Sequence, residues 1–546
     1  MSRFKLSFLS GVFLLLFAIC ILLLPGCAKD VAKPNPIPSV DTTVYTTVNF
    51  NDLLLDSMFV DTFFVKMVDS ATVKSQVSQF YKRRNYQFAW FNKNGPANVM
   101  AMFYDQLKNY SFDFNDQSLD NPKIDSLVKS LRSDESKFMS NPANVLNLEL
   151  LLTSTYFKYA RKVYDGRDKN PVDLEWFIPR KKKDYQILLD SLVARKPDSE
   201  VHEPENIYYT RLKAQLRKYR EIEKSNVSYP VITDKKVLIV GDTDVCIINV
   251  KKNLIIVGDL MDKDTSAIFT DTLKSALLLF QGRMGLFKSG KLTESTRKEL
   301  NVSISDRIKQ MVINLERLRW VPVDLESDYL MVNIPEFRLH IFEKNKLAWE
   351  MNVVVGKAAT KTSIFKGNIA NIVLNPYWNV PNSIIKNEII PAMKRNANYI
   401  ERNNMEITNK KPLMVRQKPG GNNALGKIKF LFPNNFSIYL HDTPSKSLFS
   451  ESKRDFSHGC IRVEEPRKLA KYLLRDQPNW LKRIDKILNT IDETWIKVSP
   501  TVPVYIVYFT SWVDSEGKLN FRNDIYGHDK KLANEIFGVG KMCGRR

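Results

Sequence analysis

The chain has 546 residues, which at roughly 100–200 residues per domain is enough for three or four domains. Hydrophobic residues make up 44% and charged residues 26%, a balance that excludes a disordered chain and favours globular domains with apolar cores. The 82 lysines and arginines against 60 aspartates and glutamates give a net charge of +22, which suits an acidic partner such as anionic lipid or cell wall. Because the basic residues are scattered as singlets and short runs, we expect a solvated basic surface and no nucleic-acid partner.

Cysteine and histidine are sparse, with five of each. No C-x-x-C or H-x-x-x-H pair occurs, which excludes the common zinc spacings, so we expect no metal. The odd number of cysteines and their wide separation exclude a dense disulfide framework. A single chemically active cysteine remains compatible with this usage.

The first 27 residues have the features of a bacterial lipoprotein signal. Two basic residues precede the apolar segment Phe8–Leu24, and the small Gly26 stands before Cys27. Cleavage there would leave a lipidated Cys27 that holds the protein at a membrane surface. The alternative is an uncleaved signal anchor, since about 17–20 apolar residues can span a bilayer. Both interpretations place the rest of the chain on the periplasmic side of the cell envelope, with residues 28–45 as a stiff linker.

Residues 46–236 are predicted to form a helical scaffold domain. Between residues 52 and 224, apolar side chains recur at steps of three and four, which is the period of an amphipathic helix. The clearest of these helices carries Tyr156 and Tyr159 on one face and can end at Gly166. We expect this domain to support the rest of the protein without chemistry of its own.

Residues 237–302 show a different pattern. Two short apolar runs, 237–240 and 253–257, are each followed by Gly-Asp. Next come an amphipathic helix, a glycine-rich loop and a second short helix that Thr293 can cap. This order resembles the peptidoglycan-binding module of cell-wall enzymes, and a plain helical-hairpin core is the alternative.

A connecting helix is predicted within residues 303–326, and the character then changes to strands over residues 327–512. The segment from about 379 to 419 is long, basic and rich in proline and asparagine, which is typical of a functional lid. Residues 513–546 form a C-terminal extension. Because helical regions precede a strand-rich one, the predicted fold class is multidomain α+β. Strands are predicted at Tyr329–Ile334, Leu339–Phe342, Met351–Val355, Ile369–Leu374, Phe436–Leu440 and Val502–Phe509, and helices at Ile384–Arg395 and Pro466–Arg475.

The residues that can carry chemistry lie between 438 and 463. A free cysteine is only a few per cent thiolate near neutral pH, so a nucleophilic one needs a base or a positive field nearby. His441 precedes Cys460 by 19 residues and can supply that base. The N–H groups of Gly459 and Cys460 are candidate oxyanion donors. If this stretch is extended, Arg462 shares the face of Cys460 and offers a positive charge to a substrate carboxylate or to the thiolate.

The run Ser-His-Gly-Cys-Ile-Arg at 457–462, with His441 upstream, resembles the signature of the bacterial L,D-transpeptidases, the cysteine enzymes that cross-link peptidoglycan. The order of helical scaffold, peptidoglycan-binding module and β-rich catalytic domain with an inserted lid resembles the large periplasmic branch of that family. Further matches lie at Asn375–Pro381, Arg416–Gly420, Asn423–Gly426, Lys429 and His441–Pro444.

The resemblance implies that Cys460 is the acylated nucleophile and that His441 is its base and acid. The thiolate would attack the carbonyl at the L-centre of a stem-peptide diamino acid, release the terminal D-amino acid and pass the acyl group to an amine of a neighbouring stem. Stem peptides would be the partners, no cofactor would be needed, and carbapenem-type β-lactams would be covalent inhibitors. The residues expected to shape the site are Ser457, His458, Gly459, Arg462, Asp442 and Trp378.

Several alternatives stay open. Water or a free D-amino acid could replace the acceptor amine, which would make the protein an L,D-carboxypeptidase or an exchange enzyme. A cell-wall-binding lipoprotein with a degenerate catalytic domain is a non-enzymatic alternative. A papain-like protease is disfavoured, since its nucleophile precedes its histidine in the sequence. Either the carbonyl or the side chain of Asp442 could orient His441, and Trp378 could act as a hinge, line the cleft or belong to an aromatic core.

Overall fold

The computed structural model describes residues 51–65, 71–166, 170–179, 183–194, 206–261 and 264–538. The predicted signal peptide, the linker and Cys27 lie outside the described residues. Within the described ranges, no helix combines the length and the apolar character needed to cross a membrane.

The first part of the described chain is a helical region with one apolar core. Phe80, Trp90, Phe103 and Tyr156 are fully buried in this core. Its helices are α1 (Ser57–Val65), α2 (Ala71–Arg83), α3 (Asn98–Phe114), α4 (Pro122–Ser133), α5 (Glu135–Met139), α6 (Pro142–Ala160), α7 (Tyr185–Val193) and α8 (Ile207–Lys224), with a short hairpin of β1 (Phe91–Asn92) and β2 (Gly95–Pro96).

The starts and ends of these helices follow from local sequence. The side chains of Asn121 and Asn141 accept hydrogen bonds from the first turns of α4 and α6, and a proline stands at the first position of each helix. Helix α6 continues into a π-helical turn at Arg161–Asp165, and Gly166 follows with a φ of +70°. The predicted end of this helix at Gly166 is therefore confirmed.

Four helices connect this region to the strands: α9 (Cys246–Ile256), α10 (Asp271–Arg283), α11 (Glu294–Leu300) and α12 (Ile304–Leu318). The apolar run at 253–257 is the end of α9, and Gly258 stops that helix with a φ of +81°. Thr293 caps α11 as predicted, because its hydroxyl accepts the N–H of Thr296 at 3.2 Å. Leu277 in α10 and Met311 in α12 belong to the same buried core as the strands that follow.

The rest of the chain is rich in β-strands, which confirms the mixed architecture of a helical region followed by a β-rich one. The strands are β3 (Tyr329–Asn333), β4 (Arg338–Glu343), β5 (Lys346–Gly356), β6 (Lys366–Leu374), β7 (Trp378–Asn379), β8 (Met405–Lys410), β9 (Leu413–Gln417), β10 (Ile428–Leu431), β11 (Leu440–His441), β12 (Asp455–Ser457), β13 (Ile461–Val463), β14 (Thr494–Val507), β15 (Ser511–Val513) and β16 (Leu519–Phe521). The helices among them are α13 (Asn382–Ile384), α14 (Ile390–Arg395), α15 (Tyr399–Arg402), α16 (Pro466–Leu473), α17 (Pro478–Leu481), α18 (Ile484–Leu488) and α19 (His528–Phe537).

The main sheet has the order β12-β5-β13-β11-β10-β6-β14-β3-β4, and it closes on itself because β4 also pairs with β5. Alternate residues along each strand face the closed interior. Ile372, Phe430, Leu440 and Ile461 form one such inward row across four neighbouring strands, and all are fully buried. The neighbouring row therefore projects to the opposite face of the sheet.

The predicted strand at Phe436–Leu440 is wrong over most of its length, because β11 begins only at Leu440. The side chain of Asn434 accepts the N–H of Phe436 at 2.9 Å and donates to the carbonyl of Ile438 at 2.8 Å, which closes a turn in place of a strand. Ser437 within this turn has a φ of +56°.

The segment predicted as a lid lies between β6 and β10 in the chain. Its strands form a separate sheet of order β7-β9-β8. Helices α13 to α15 cover this sheet, and Val380, Ile385, Ile389, Met405 and Val415 bury their side chains between the two. The segment is a packed unit with its own small core.

Candidate active site

Cys460 lies in a tight turn between β12 and β13 and is partly exposed. The turn requires Gly459, whose φ of +117° is unfavourable for residues with a side chain. The Ser457 hydroxyl donates to the carbonyl of Cys460 at 2.5 Å and accepts the N–H of Gly459 at 3.1 Å. The Gly459 N–H, proposed from the sequence as an oxyanion donor, is thus engaged within the turn. The N–H of Cys460 has no acceptor among the described residues.

Three residues on neighbouring strands form one row beside the sulfur. Lys429 on β10 pairs with His441 on β11, which pairs with Arg462 on β13. Adjacent strands lie about 4.8 Å apart, so the two cations flank the imidazole closely. Cys460 is two residues before Arg462, and residues two apart in an extended chain lie on the same face. The positive charges of Lys429 and Arg462 both stabilise the thiolate of Cys460.

The tautomer of His441 is set by the main chain. Its Nδ1 lies 2.5 Å from the carbonyl oxygen of Asp442, so Nδ1 carries the proton and donates it to that carbonyl. The second ring nitrogen, Nε2, has no hydrogen-bond partner among the described residues and can accept a proton. The sequence left open whether the carbonyl or the side chain of Asp442 orients His441. The group in contact with the ring is the carbonyl.

The carboxylate of Asp442 has a structural role. It accepts the N–H of Thr443 at 2.7 Å, the N–H of Lys427 at 2.8 Å and the ammonium of Lys446 at 2.6 Å. It also lies directly over Gly426, where an added Cβ would stand 2.4 Å from the carboxylate carbon. Asp442 thus ties the end of β11 to the start of β10.

The surroundings of Cys460 and His441 disfavour the charged form of both side chains. Burial raises the pKa of the Cys460 thiol, although the amide and hydroxyl of Tyr439 and the two nearby cations oppose this effect. Burial, together with the positive charge of Arg462, lowers the pKa of His441 to about 3. The resting pair is a thiol and a neutral imidazole, not a thiolate–imidazolium ion pair.

The thiol points at the main chain and not at the imidazole. Its Sγ lies 3.6 Å from the carbonyl oxygen of Ser437, to which the S–H donates. Since catalytic hydrogen bonds are often long or absent before substrate binds, this geometry is compatible with proton transfer from Cys460 to His441.

Sequence reasoning missed Tyr439 and did not assign Lys429 to the site. The main chain and the hydroxyl of Tyr439 both act to lower the pKa of the Cys460 thiol, and Trp378 acts to lower the pKa of Tyr439. Lys429 places its ammonium 4.0 Å from the centre of the Tyr439 ring. The signal for Lys429 was available, because it stands between the buried Ile428 and Phe430 and so faces the other side of the strand.

His458 lies two residues before Cys460 in the sequence, and its contact is with the lid segment. Its Nε2 lies 3.0 Å from the Glu388 carboxylate of the lid segment, and both side chains are about half exposed. This contact joins the turn that carries Cys460 to the lid. It agrees with a hydrogen-bonding role for His458.

Away from this site, Asp234, Asp244 and Cys246 each place one possible ligand atom within 4.8 Å of the others. Burial and the neighbouring Asp244 raise the pKa of Cys246 to about 12. A metal needs the thiolate form of cysteine, which this environment disfavours. These three residues are not a good metal site.

The comparisons with known proteins agree with this geometry. Residues 327–506 match the family model of the YkuD L,D-transpeptidase catalytic domain, and residues 75–216 match a model described as a scaffold domain. The chain is 33% identical over 255 residues to a Haemophilus influenzae protein named "Putative L,D-transpeptidase". That match covers 43% of this chain and 50% of the relative, so the chain spans about half the length of the relative.

Solved structures of L,D-transpeptidases also match. One from Stackebrandtia nassauensis is 13% identical with a TM-score of 0.21, covering 52% of this chain and 97% of the other. One from Mycobacterium smegmatis is 13% identical with a TM-score of 0.20, covering 33% of this chain and 58% of the other. Residues 327–506, which enclose Cys460 and the row beside it, are therefore similar to the catalytic domain of the YkuD family of L,D-transpeptidases.

Proposed function

We propose that the protein is a peptidoglycan L,D-transpeptidase in which Cys460 is the nucleophile and His441 the general base. The observation that carries the proposal is the row Lys429, His441 and Arg462 beside Cys460, inside the segment that matches the family model. The row supplies a neutral imidazole with a free Nε2 and two cations for an anionic substrate.

In the first half-reaction, the side chain of Cys460 turns from the Ser437 carbonyl towards His441. Nε2 takes the S–H proton as sulfur bonds to the carbonyl carbon at the L-centre of the diamino acid. The Cys460 N–H donates to the oxyanion that forms. The C–N bond to the terminal D-amino acid then breaks, and Nε2 returns the proton to the leaving amine.

In the second half-reaction, the amine of a neighbouring stem attacks the thioester. His441 removes a proton from this amine, the C–S bond breaks, and the thiol of Cys460 is restored. Lys429 and Arg462 are suited to bind carboxylates of the stem peptides. Arg462 is especially suited, because its Nε is buried without a partner among the described residues.

The acceptor depends on the lid, residues 379–419. Exposed basic side chains cover this segment and suit an anionic stem peptide: Lys386, Lys394, Arg395, Arg402, Lys410 and Lys411. We propose that the packed lid excludes water and so favours an amine acceptor. An open cleft would instead favour hydrolysis or D-amino-acid exchange.

Mass spectrometry of digested muropeptides tests this function. After incubation of purified protein with tetrapeptide-rich peptidoglycan, we expect dimers joined between two diamino acids. Tripeptides without dimers would identify an L,D-carboxypeptidase, and stems with a new terminal D-amino acid would identify an exchange enzyme. No change in any muropeptide would favour a non-catalytic cell-wall-binding lipoprotein.

Strained β-lactams offer a second substrate class for the same thiol. A thiolate that accepts a stem-peptide acyl group can also open a strained lactam carbonyl. We propose that carbapenems acylate Cys460. Intact-protein mass after incubation with imipenem should increase by the mass of the drug in the wild type and stay unchanged in Cys460→Ala.

We also propose attachment to a membrane through a lipidated Cys27, on the periplasmic side of the cell envelope. The support is the order of basic residues, apolar segment and Gly26-Cys27 in the sequence. Cys27→Ser should release the protein from membrane fractions or leave an unprocessed precursor of higher mass. Unchanged lipid labelling would point to another anchor.

Residues 237–302 are proposed to bind peptidoglycan. The support is the helix, glycine-rich loop and capped helix of this region, together with Phe287 in the loop, which is 79% exposed. Phe287→Ala should weaken sedimentation of the protein with insoluble sacculi while leaving turnover of soluble stems unchanged. Equal sedimentation of both proteins would remove this support.

A further inference from the structure

The turn that carries Cys460 rests on a loop at residues 357–364, which follows β5. Thr362 in this loop is 1% exposed. Its hydroxyl donates to the carbonyl oxygen of Gly459 at 2.8 Å and accepts the N–H of Gly356 at 2.9 Å. Thr362 therefore holds one end of the peptide group that joins Gly459 to Cys460.

This peptide group contains the oxyanion donor. The carbonyl of Gly459 and the N–H of Cys460 belong to one planar unit and point in opposite directions. A hydrogen bond that fixes the carbonyl direction also fixes the direction of the Cys460 N–H. The Thr362 hydroxyl thus sets the direction of the Cys460 N–H, which has no acceptor among the described residues.

Thr362 is in turn held by a residue outside the matched catalytic domain. Tyr526 lies in the C-terminal extension and is 6% exposed. Its hydroxyl donates to the carbonyl of Gly356 and accepts the N–H of Thr362 at 3.3 Å. Its ring stacks on Tyr508 with a centroid distance of 5.6 Å, and its N–H donates to the Tyr508 hydroxyl at 2.9 Å.

The loop and the turn touch through their backbones. A Cβ added at Gly356 would stand 3.0 Å from the Cα of Gly459 and 2.1 Å from the carbonyl oxygen of Thr360. The three atoms nearest to this Cβ all belong to the main chain, of Thr360, Thr362 and Gly459. A shift of the loop is therefore passed directly to the turn that carries Cys460.

We propose that Tyr526 is a positioning residue for acyl transfer: its hydroxyl holds Gly356 and Thr362, and through them aims the Cys460 N–H at the oxyanion. The proposal rests on the proposed function, because an oxyanion forms beside this N–H only if Cys460 attacks a carbonyl. It assigns to the C-terminal extension a part in catalysis that the catalytic domain of residues 327–506 does not supply alone.

Two reactions of the same sulfur separate this role from general support of the fold. Acylation by imipenem forms an oxyanion, whereas alkylation by iodoacetamide does not. In Tyr526→Phe we expect the rate of imipenem acylation to fall about tenfold, since misaligned oxyanion donors are costly. The rate of Cys460 alkylation should stay within about twofold of the wild type, as it needs only the thiolate.

Tyr329→Phe is the matched control. Tyr329 is a buried tyrosine in β3 of the main sheet. Its hydroxyl hydrogen-bonds to the hydroxyl of Tyr208 at 2.8 Å, away from the Cys460 turn. Its removal should change neither rate. If Tyr526→Phe does not fold, Thr362→Val and Thr362→Ser replace it, with slow acylation expected for the valine and rescue by the serine.

The proposal is overturned if Tyr526→Phe is acylated as fast as the wild type. It is also overturned if alkylation falls as much as acylation, because the variant would then have damaged the whole site. Failure of the proposed function gives a different result. In that case the wild type itself would be neither acylated by imipenem nor able to process a tetrapeptide stem.

Discussion

His441 donates its Nδ1 proton to the main-chain carbonyl of Asp442 and not to the carboxylate of the same residue. The carbonyl fixes the ring and leaves Nε2 to exchange a proton with the sulfur in the proposed mechanism, while the Asp442 carboxylate favours the imidazolium only through its charge. With two cations beside the ring, the histidine therefore stays neutral until it takes up the proton of Cys460. Four predictions follow from this arrangement and from the lid.

The first concerns Asp442→Asn. Because the carbonyl and not the side chain orients His441, we expect kcat to stay within about tenfold of the wild type. An Asp carboxylate that orients a catalytic histidine is worth about 10⁴-fold when it is replaced by Asn. The amide cannot accept all three of the hydrogen bonds that the carboxylate accepts, so the free energy of unfolding should fall by about 1–3 kcal/mol. Steady-state kinetics and thermal unfolding test both parts, and a loss near 10⁴-fold in folded protein would assign the orienting role to the carboxylate.

The second compares the two histidines near the nucleophile. His441→Ala should slow acylation by roughly 100-fold or more, given the usual worth of a general base. His458→Ala should have a much smaller effect, because His458 makes an exposed contact with Glu388 and such pairs are weak. Stopped-flow acylation by imipenem measures both rates, with circular dichroism as the control for folding. The reverse ranking in folded protein would exchange their roles.

The third is a pH profile. Burial raises the pKa of Cys460, so the thiolate fraction should keep increasing with pH above the usual range for cysteine. His441 titrates at about 3 and stays neutral above that pH, so it should add no step between pH 6 and 7. The rate of iodoacetamide alkylation, assigned to Cys460 by peptide mapping, should rise steadily from pH 6 to pH 9. A plateau beginning near pH 6 would indicate a thiolate–imidazolium pair and contradict the neutral resting state.

The fourth concerns the lid. Replacement of residues 382–402 with a short Gly/Ser linker should lower cross-linking far more than imipenem acylation. A small rigid inhibitor needs less cover than two peptide strands, and the excised part carries the Glu388 contact to His458. Glu388→Ala, which removes only that contact and leaves the rest of the segment in place, is the milder comparison. Equal loss of both reactions after the replacement would mean that the segment builds the active site itself.

The sequence predicted most of the architecture because its signals are local. Asn141 with the following proline, and Thr293 before α11, start helices through contacts within a single turn. The apolar runs at Ile369–Leu374 and Val502–Phe509 likewise mark the parts of β6 and β14 that are mostly buried. The strand at Phe436–Leu440 was mispredicted because the side chain of Asn434 closes a turn there, and an apolar run does not show this.

The sequence was sufficient to propose Cys460 and His441 as the reacting pair. It was not sufficient to identify the residues that surround them. Cys460 and His441 stand out through residue type and motif. Ser437, Tyr439 and Tyr526 reach the site through contacts between distant segments, which depend on register and packing. The N–H of Gly459 is hydrogen-bonded because the Ser457 hydroxyl lies beside it, and the sequence alone does not show this position.

The most direct test of the mechanism is the intact mass of the protein after a brief incubation with a purified tetrapeptide stem, quenched in acid. The wild type should gain the mass of the stem minus that of the released D-amino acid, which carries away the hydrogen lost from sulfur. Peptide mapping should place this adduct on Cys460. Cys460→Ala should fold normally, gain no mass and leave the stem intact. An adduct on another residue, or release of the D-amino acid by Cys460→Ala, would contradict the assignment of Cys460 as the nucleophile.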